Sequence, residues 1–213
     1  MISTEKIFQD LLALTRNDQA GYHSTEDFNS QQSLVQEMLF SYHLEKYEAS
    51  MESSDALVPF MREKLVSTTD GYSPYPASMR HIIALTYAPG GKLYRNANYV
   101  KANEEGESVF SSVRKPSILK NRFYWAKRQV GFMFYPVQAN VVSIKYFVSP
   151  PSAFRGATIN VVDAVENPDP STTVDFAWPA KEENNILDGF LILKGLQSRQ
   201  TDFINWAMAR KQK

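Results

Sequence analysis

The sequence predicts an α+β protein: N-terminal helices, a central antiparallel β-sandwich or small barrel, and C-terminal helices. Three observations predict it. Apolar residues recur at three- and four-residue spacings through the first third of the chain. From Asp70-Gly71 onward, short aromatic and β-branched runs alternate with Gly and Pro. After Trp178-Pro179 the helical spacing returns. These shifts divide the chain into a helical region over 1–70, a β region over 71–178, and helices over 179–213 that pack on the rest to give one composite domain.

In the helical region, Thr4 is placed to cap a short helix carrying Ile7, Phe8, Leu11, Leu12 and Leu14, and Gly21 interrupts the pattern. Ser24-Thr25-Glu26-Asp27 then supplies an N-cap and first-turn acids, which suit a helix dipole. Phe28, Val35, Met38, Leu39 and Tyr42 continue that helix to about Glu48. Ser53 or Ser54 caps a shorter helix over 56–61, with Pro59 tolerated in its first turn.

In the β region, Gly71, Pro74 and Pro76 mark a turn, His81–Tyr87 reads as a strand, and Pro89-Gly90-Gly91 closes it. Residues 92–122 read as a polar, irregular loop that orders on assembly. Runs at 123–126, 129–135 and 141–148 follow, and the turn at 136–140 gives a hairpin signal. A second hairpin is expected from 157–165 and 172–178 about Asn167-Pro168-Asp169-Pro170. Pro179 then opens a helix with Ile186, Leu187, Phe190, Leu191 and Leu193, up to Gly195. A last helix carries Phe203, Ile204, Trp206, Ala207 and Met208.

The chain of 213 residues is 43% hydrophobic and 13% aromatic, enough apolar content for a folded core. There is no Cys, which excludes disulfides, thiolate metal sites and a Cys nucleophile. The N-terminal residues lack the basic and apolar runs of a signal peptide, and no stretch is long and apolar enough to cross a membrane. These features point to synthesis in a cytosol and to no membrane partner.

The net charge of zero hides a segregation. Residues 1–107 carry 15 acidic and 9 basic side chains, and residues 163–213 carry 8 acidic and 6 basic. Residues 108–162 carry 8 basic side chains and no acidic one: Arg114, Lys115, Lys120, Arg122, Lys127, Arg128, Lys145 and Arg155. Three uses are open to this set. It can pair with acidic helices of its own chain, with an acidic surface of a neighbouring subunit, or with nucleic acid.

Motifs of catalysis are not found. The chain has no Gly-x-Ser-x-Gly elbow, P-loop or dinucleotide fingerprint. His23, His43 and His81 form no metal-binding pair, and His43 reads as part of a solvated helix face near Glu45 and Glu48. The carboxylate pairs Glu104-Glu105 and Glu182-Glu183 need burial to act as acid and base. No catalytic, metal or cofactor residue is assigned, and the protein is expected not to be an enzyme. Trp125, with Phe123 and Tyr124, lies amid Lys120, Arg122, Lys127 and Arg128. Such interleaving suits base stacking, or a strand with aromatics in the core and cations in solvent. Phe203 and Trp206 are candidates for a C-terminal interface or for ordinary packing.

Several segments together carry a family resemblance. They are Ser24-Thr25-Glu26-Asp27-Phe28-Asn29, Ser54-Asp55-Ala56-Leu57-Val58-Pro59-Phe60, Tyr75-Pro76 and Lys115-Pro116-Ser117. Further along come Phe123-Tyr124-Trp125, Tyr146-Phe147-Val148-Ser149-Pro150-Pro151 and Trp178-Pro179. In this order they resemble the head-to-tail connector proteins (neck rings and tail adaptors) of crAss-like and related tailed phages. The chain departs from the family pattern at Asn121-Arg122, where a proline more often precedes the aromatics. The resemblance implies a structural virion protein, one subunit of a twelve-fold ring in the neck or tail. Its implied partners are its own copies, a portal or other neck and tail proteins, and DNA passing transiently without sequence preference. It implies no cofactor. Arg114, Lys115, Lys120, Arg122, Lys127 and Arg128 are then subunit or DNA contacts, with subunit contact favoured because tight DNA binding would impede passage. Two other readings remain. A ligand- or carbohydrate-binding β-sandwich of a tail requires exposed Trp125 and Trp178. A hydrolase requires a histidine beside a carboxylate in a cleft.

Overall fold

The computed structural model describes residues 1–17, 24–50, 55–88, 96–101, 104–111, 113–137, 139–160 and 166–198. The protein is α+β as expected: N-terminal helices, a central seven-stranded sheet curled into a nearly closed barrel, and a C-terminal helix. The helices are α1 (Thr4–Asn17), α2 (Thr25–Ser50), α3 (Glu105–Phe110) and α4 (Glu183–Ser198). The strands are β1 (Met61–Ser67), β2 (Tyr72–Pro74), β3 (Met79–Tyr87), β4 (Asn96–Tyr99), β5 (Tyr124–Lys127), β6 (Gly131–Tyr135), β7 (Val141–Val148), β8 (Ala157–Ile159) and β9 (Glu166–Pro168). The chain divides into two compact units, Met1–Pro59 with Pro150–Lys213, and Phe60–Ser149.

The first unit holds α1, α2, α4 and the β8–β9 hairpin. Its α1 is capped by Ser3, not Thr4: Ser3 Oγ accepts from the Lys6 N–H at 3.4 Å and its carbonyl from Ile7 at 3.2 Å. Thr4 is drawn into a tertiary bond instead, donating its hydroxyl to the Val174 carbonyl at 2.8 Å. Ser24 caps α2 as expected. Its Oγ accepts from the Asp27 N–H at 3.1 Å, and Asp27 reaches back to the Ser24 N–H. This reciprocal box satisfies donors that the first helical turn leaves open. Rings from α1, α2 and α4 meet in the core. Phe28 stacks on Phe190 with centroids 4.6 Å apart, and Phe8 meets Phe28 edge-on at 5.4 Å. Gly189 lets α4 approach α2, because a Cβ there would stand 2.8 Å from Val35 Cγ1.

Three expectations for this unit are corrected. Met38 and Tyr42 are exposed, because the buried arc of α2 runs through Phe28, Gln32, Val35, Leu39 and His43 instead. The second hairpin forms from β8 and β9, pairing Ala157 with Pro168 and Ile159 with Glu166. Asn167 and Pro168 are thus strand residues, and residues around 174–176 make isolated bridges to Phe154 and Ile2. Gly195 does not end α4, which continues to Ser198. Gly21, His23, Ser53, Ser54, Pro89-Gly90-Gly91 and the expected helix over 203–208 lie outside the described residues.

In the second unit the strand order is β1-β7-β3-β4-β5-β6-β2. Consecutive strands β1 and β2 therefore occupy opposite edges of one sheet. The short link between them, Thr68–Gly71, draws those edges toward each other. Thr68 donates its N–H to the Asn140 carbonyl at 2.9 Å, and Phe134 donates to Gly71 at 2.7 Å. The interior is filled by Ile82, Leu85, Phe123, Trp125, Phe132, Phe134, Val142, Ile144 and Tyr146. Alternation along the strands sends these side chains inward.

Several strand assignments differ from expectation. The short helix over 56–61 is a single 3-10 turn, Val58–Phe60, after which Met61 begins β1. The burial pattern explains the miss: β1 is exposed at most positions and lacks an apolar alternation. Strand β4 lies inside the stretch read as a loop. The hairpin partner of β6 is β5, while β7 sits between β1 and β3. The sheet is mixed rather than wholly antiparallel, since Asn98 and Tyr99 of β4 pair in parallel with Tyr124 and Trp125 of β5.

Gly71 holds a φ of +78°, and a Cβ there would stand 2.5 Å from the Phe134 carbonyl oxygen. Gly71→Ala therefore destabilises the second unit by about 2 kcal/mol or more. A drop in the denaturant midpoint, followed by near-UV circular dichroism, measures it; an unchanged midpoint would show that the edge-closing turn bears no strain.

Candidate functional site

A parallel strand pair cannot be joined by a tight turn and needs a crossover of a dozen or more residues. The β4–β5 pair has such a crossover in residues 100–123, and most of the basic set lies on it or just after it. We call residues 104–122 the arm.

Local hydrogen bonds shape the arm. After α3, Ser111 Oγ accepts from the backbone N–H groups of Val113 and Arg114 at 3.3 and 3.2 Å. Ser117 and Arg122 exchange backbone hydrogen bonds of 3.0 and 2.9 Å, closing a loop whose Asn121 takes a φ of +50°. Arg122 also donates its guanidinium to the Val113 carbonyl. Two anchors tie the arm to the barrel. Glu105 receives Arg128 Nη2 at 2.5 Å and the Tyr135 hydroxyl. Burial and then the neighbouring Glu105 carboxylate push the Tyr135 phenol up. Ile118 packs against the barrel core.

Beyond these anchors the arm faces solvent with apolar side chains. Phe110 is 85% exposed, Leu119 is 97% exposed, and Val113 is exposed as well. Arg114, Lys115 and Lys120 project among them. Among the described residues no carboxylate lies within ion-pair range of Arg114, Lys115, Lys120 or Lys127. Lys127 stands 6.0 Å from the Tyr99 ring centre.

The other members of the basic set pair within their own units. Arg128 meets Glu105, and Lys145 lies 3.7 Å from Glu63. Arg155 is only 2% exposed. Its Nε donates to Glu5 at 2.7 Å, its Nη1 to Thr25 and, at 3.5 Å, to Glu166, and its guanidinium lies 3.9 Å from the Phe8 ring centre. The Asn29 amide exchanges hydrogen bonds of 2.8 and 2.9 Å with the Arg155 backbone. Among the described residues, own-chain ion pairs thus account for three of the eight cations, and Arg114, Lys115, Lys120, Arg122 and Lys127 meet no carboxylate.

The aromatic run beside the arm is core. Phe123, Trp125 and Ala126 are buried, while Lys127 and Arg128, at and just past the end of β5, are exposed. Trp178 is fully buried too. Neither tryptophan offers the exposed platform that a carbohydrate-binding sheet needs. His43 is corrected from a solvated face to a buried position. Its Nε2 lies 3.0 Å from Glu182 Oε2, which also accepts from Asn185 Nδ2 at 2.7 Å. The pair joins α2 to the turn that precedes α4 and is buried near Trp178. Phe203 and Trp206 lie outside the described residues. Among the described residues no helix is long and apolar enough to cross a membrane, and no group of three acids or histidines gathers as a metal site.

Sequence reasoning missed the second exposed surface. Leu34, at 52% exposure, Met38 and Tyr42 form an i, i+4 row on α2, outside its buried arc. Glu26 begins the same row, and Glu37 and Glu45 lie on the adjoining one. The helix has five acids and one base, Lys46, which stands 5.2 Å from the Tyr42 ring centre. The available signal was an apolar content too wide for one face of a helix.

No protein-family model matches this chain, and no curated protein matches it significantly.

Two outcomes test the Arg155 centre. Arg155→Met leaves Glu5 and Glu166 without their cation and lowers stability by about 3 kcal/mol, read by denaturant unfolding. Burial raises the Glu5 carboxyl pKa, but hydrogen bonds from Arg155 and Gln9 and the Arg155 charge outweigh it and hold the group below 4.5. A depressed carboxyl stabilises the fold above its unfolded pKa and loses that contribution as pH falls through the folded one. The stability gap between wild type and Glu5→Gln is therefore full above pH 4.5 and closes in more acid solution. A gap that instead widens with acid would contradict the assignment.

Proposed function

We propose that the chain is a structural subunit of the head-to-tail connector of a tailed phage, one copy in a closed ring of the neck or tail through which DNA passes. The observation that carries this reading is the arm. An exposed phenylalanine and leucine beside cations with no described carboxylate make a surface suited to being covered in an assembly. The ordered series of motifs from Ser24 to Pro179 supports the phage assignment. Acidic α2 and the basic arm on one chain supply the complementary surfaces that a head-to-tail contact repeats by rotation until a ring closes. In this reading the copies number twelve, the ring stacks on a portal or another neck or tail protein, and the protein performs no catalysis. Its place is the virion.

Light scattering of the purified chain, across concentration and salt, tests it. The expected result is a discrete species near a ring multiple of 24.3 kDa that loosens as salt screens the charged contacts. A strict monomer under every condition would count against a self-closing ring.

A further inference from the structure

We infer that the arm of one copy seats on the exposed row of α2 in the next copy. This rests on the ring reading and names its interface. The two surfaces match in kind. The arm offers Phe110, Val113 and Leu119 with Arg114, Lys115 and Lys120 among them, and residues 108–130 carry six bases and no acid. The α2 row offers Leu34, Met38 and Tyr42 beside Glu37 and Glu45, on a helix of net charge −4. The arm after Glu107 carries only bases, and the α2 row is bordered mainly by acids, with Lys46 the one base on the helix, so the two surfaces differ in net sign. From Leu34 to Tyr42 the row spans about 12 Å, enough for two or three seated side chains.

Like surfaces repel, so arm against arm and helix against helix are both disfavoured. The contact is therefore between different patches, the kind that rotation repeats head to tail into a ring. The arm cations are committed to protein carboxylates in this arrangement, which leaves passing DNA without a tight hold on them. The apolar centre fixes the seat, and the charges set its polarity.

Charge exchange between two variants tests the contact. The helix variant is Met38→Lys with Glu45→Lys, both at exposed helical positions. The arm variant is Lys115→Glu with Lys120→Glu. Each is first shown by circular dichroism to melt as wild type does. Alone, each variant places like charges across the interface and associates at least about tenfold more weakly than wild type. Mixed in equal amounts they regain the assembly, because the introduced glutamates of one arm now face the introduced lysines of the other's helix. Wild type that assembles, with both variants assembling equally well alone, would move the interface elsewhere and leave the ring reading standing. Wild type that never assembles would overturn both. Binding to a short labelled DNA duplex separates the other occupant. An arm variant that loses DNA binding but keeps its assembly would mean that the arm faces phosphate and not α2.

Discussion

Two neighbouring strands that run the same way impose a constraint on everything between them. β4 and β5 lie side by side in parallel, so the chain has to leave the end of one and return to the start of the other. The crossover is long for that reason, and it carries no carboxylate after Glu107. A hairpin at this point would have removed the arm altogether. The same strand sets Trp125 in the barrel interior and ends at the exposed Lys127. Topology thus decides where the basic residues are displayed, and local hydrogen bonds from Ser111, Ser117 and Glu105 decide their shape.

The first unit obeys a different constraint. A guanidinium removed from water needs its charge and its donors satisfied, and Arg155 draws residues from distant parts of the sequence to do so. Glu5, Thr25, Asn29 and Glu166 converge on it, and Phe8 covers one face. Around this polar point the stacked Phe28 and Phe190 form the apolar one. Basic residues close in sequence therefore have opposite fates. Arg155 is consumed inside its unit, while Lys115 and Lys120 remain at the surface.

The legible parts of the sequence were those with a strong local cause. Ser24 and Asp27 announce the start of α2, and the run from His81 to Tyr87 lies within the strand that forms over Met79–Tyr87. Strand β1 was illegible because its pattern is almost wholly exposed and its ladder comes from β7, some eighty residues away. β4 was hidden for a similar reason, as Asn96-Ala97-Asn98-Tyr99 becomes a strand only between β3 and β5. His43 looked solvated because its acidic sequence neighbours face water, while its actual partner, Glu182, belongs to another segment. At the candidate site the cations were visible in composition, but the exposed Leu119 and the α2 row were not. Exposure depends on where the chain turns, and composition does not record that.

One feature of the chain's division also bears on how the molecule is made. The barrel unit is a single uninterrupted stretch, Phe60–Ser149, whereas its companion is assembled from Met1–Pro59 and Pro150 onward. On a ribosome the barrel has all its strands as soon as residue 149 emerges. The other unit still lacks Arg155, Phe176 and Phe190, so α1 and α2 await partners that have not been synthesised. During that interval the apolar side of α2 has only α1 to lie against, through Phe8 on Phe28, and lacks Phe176 and Phe190. The order of translation thus makes the barrel the first part able to finish folding and leaves the helical unit to close last.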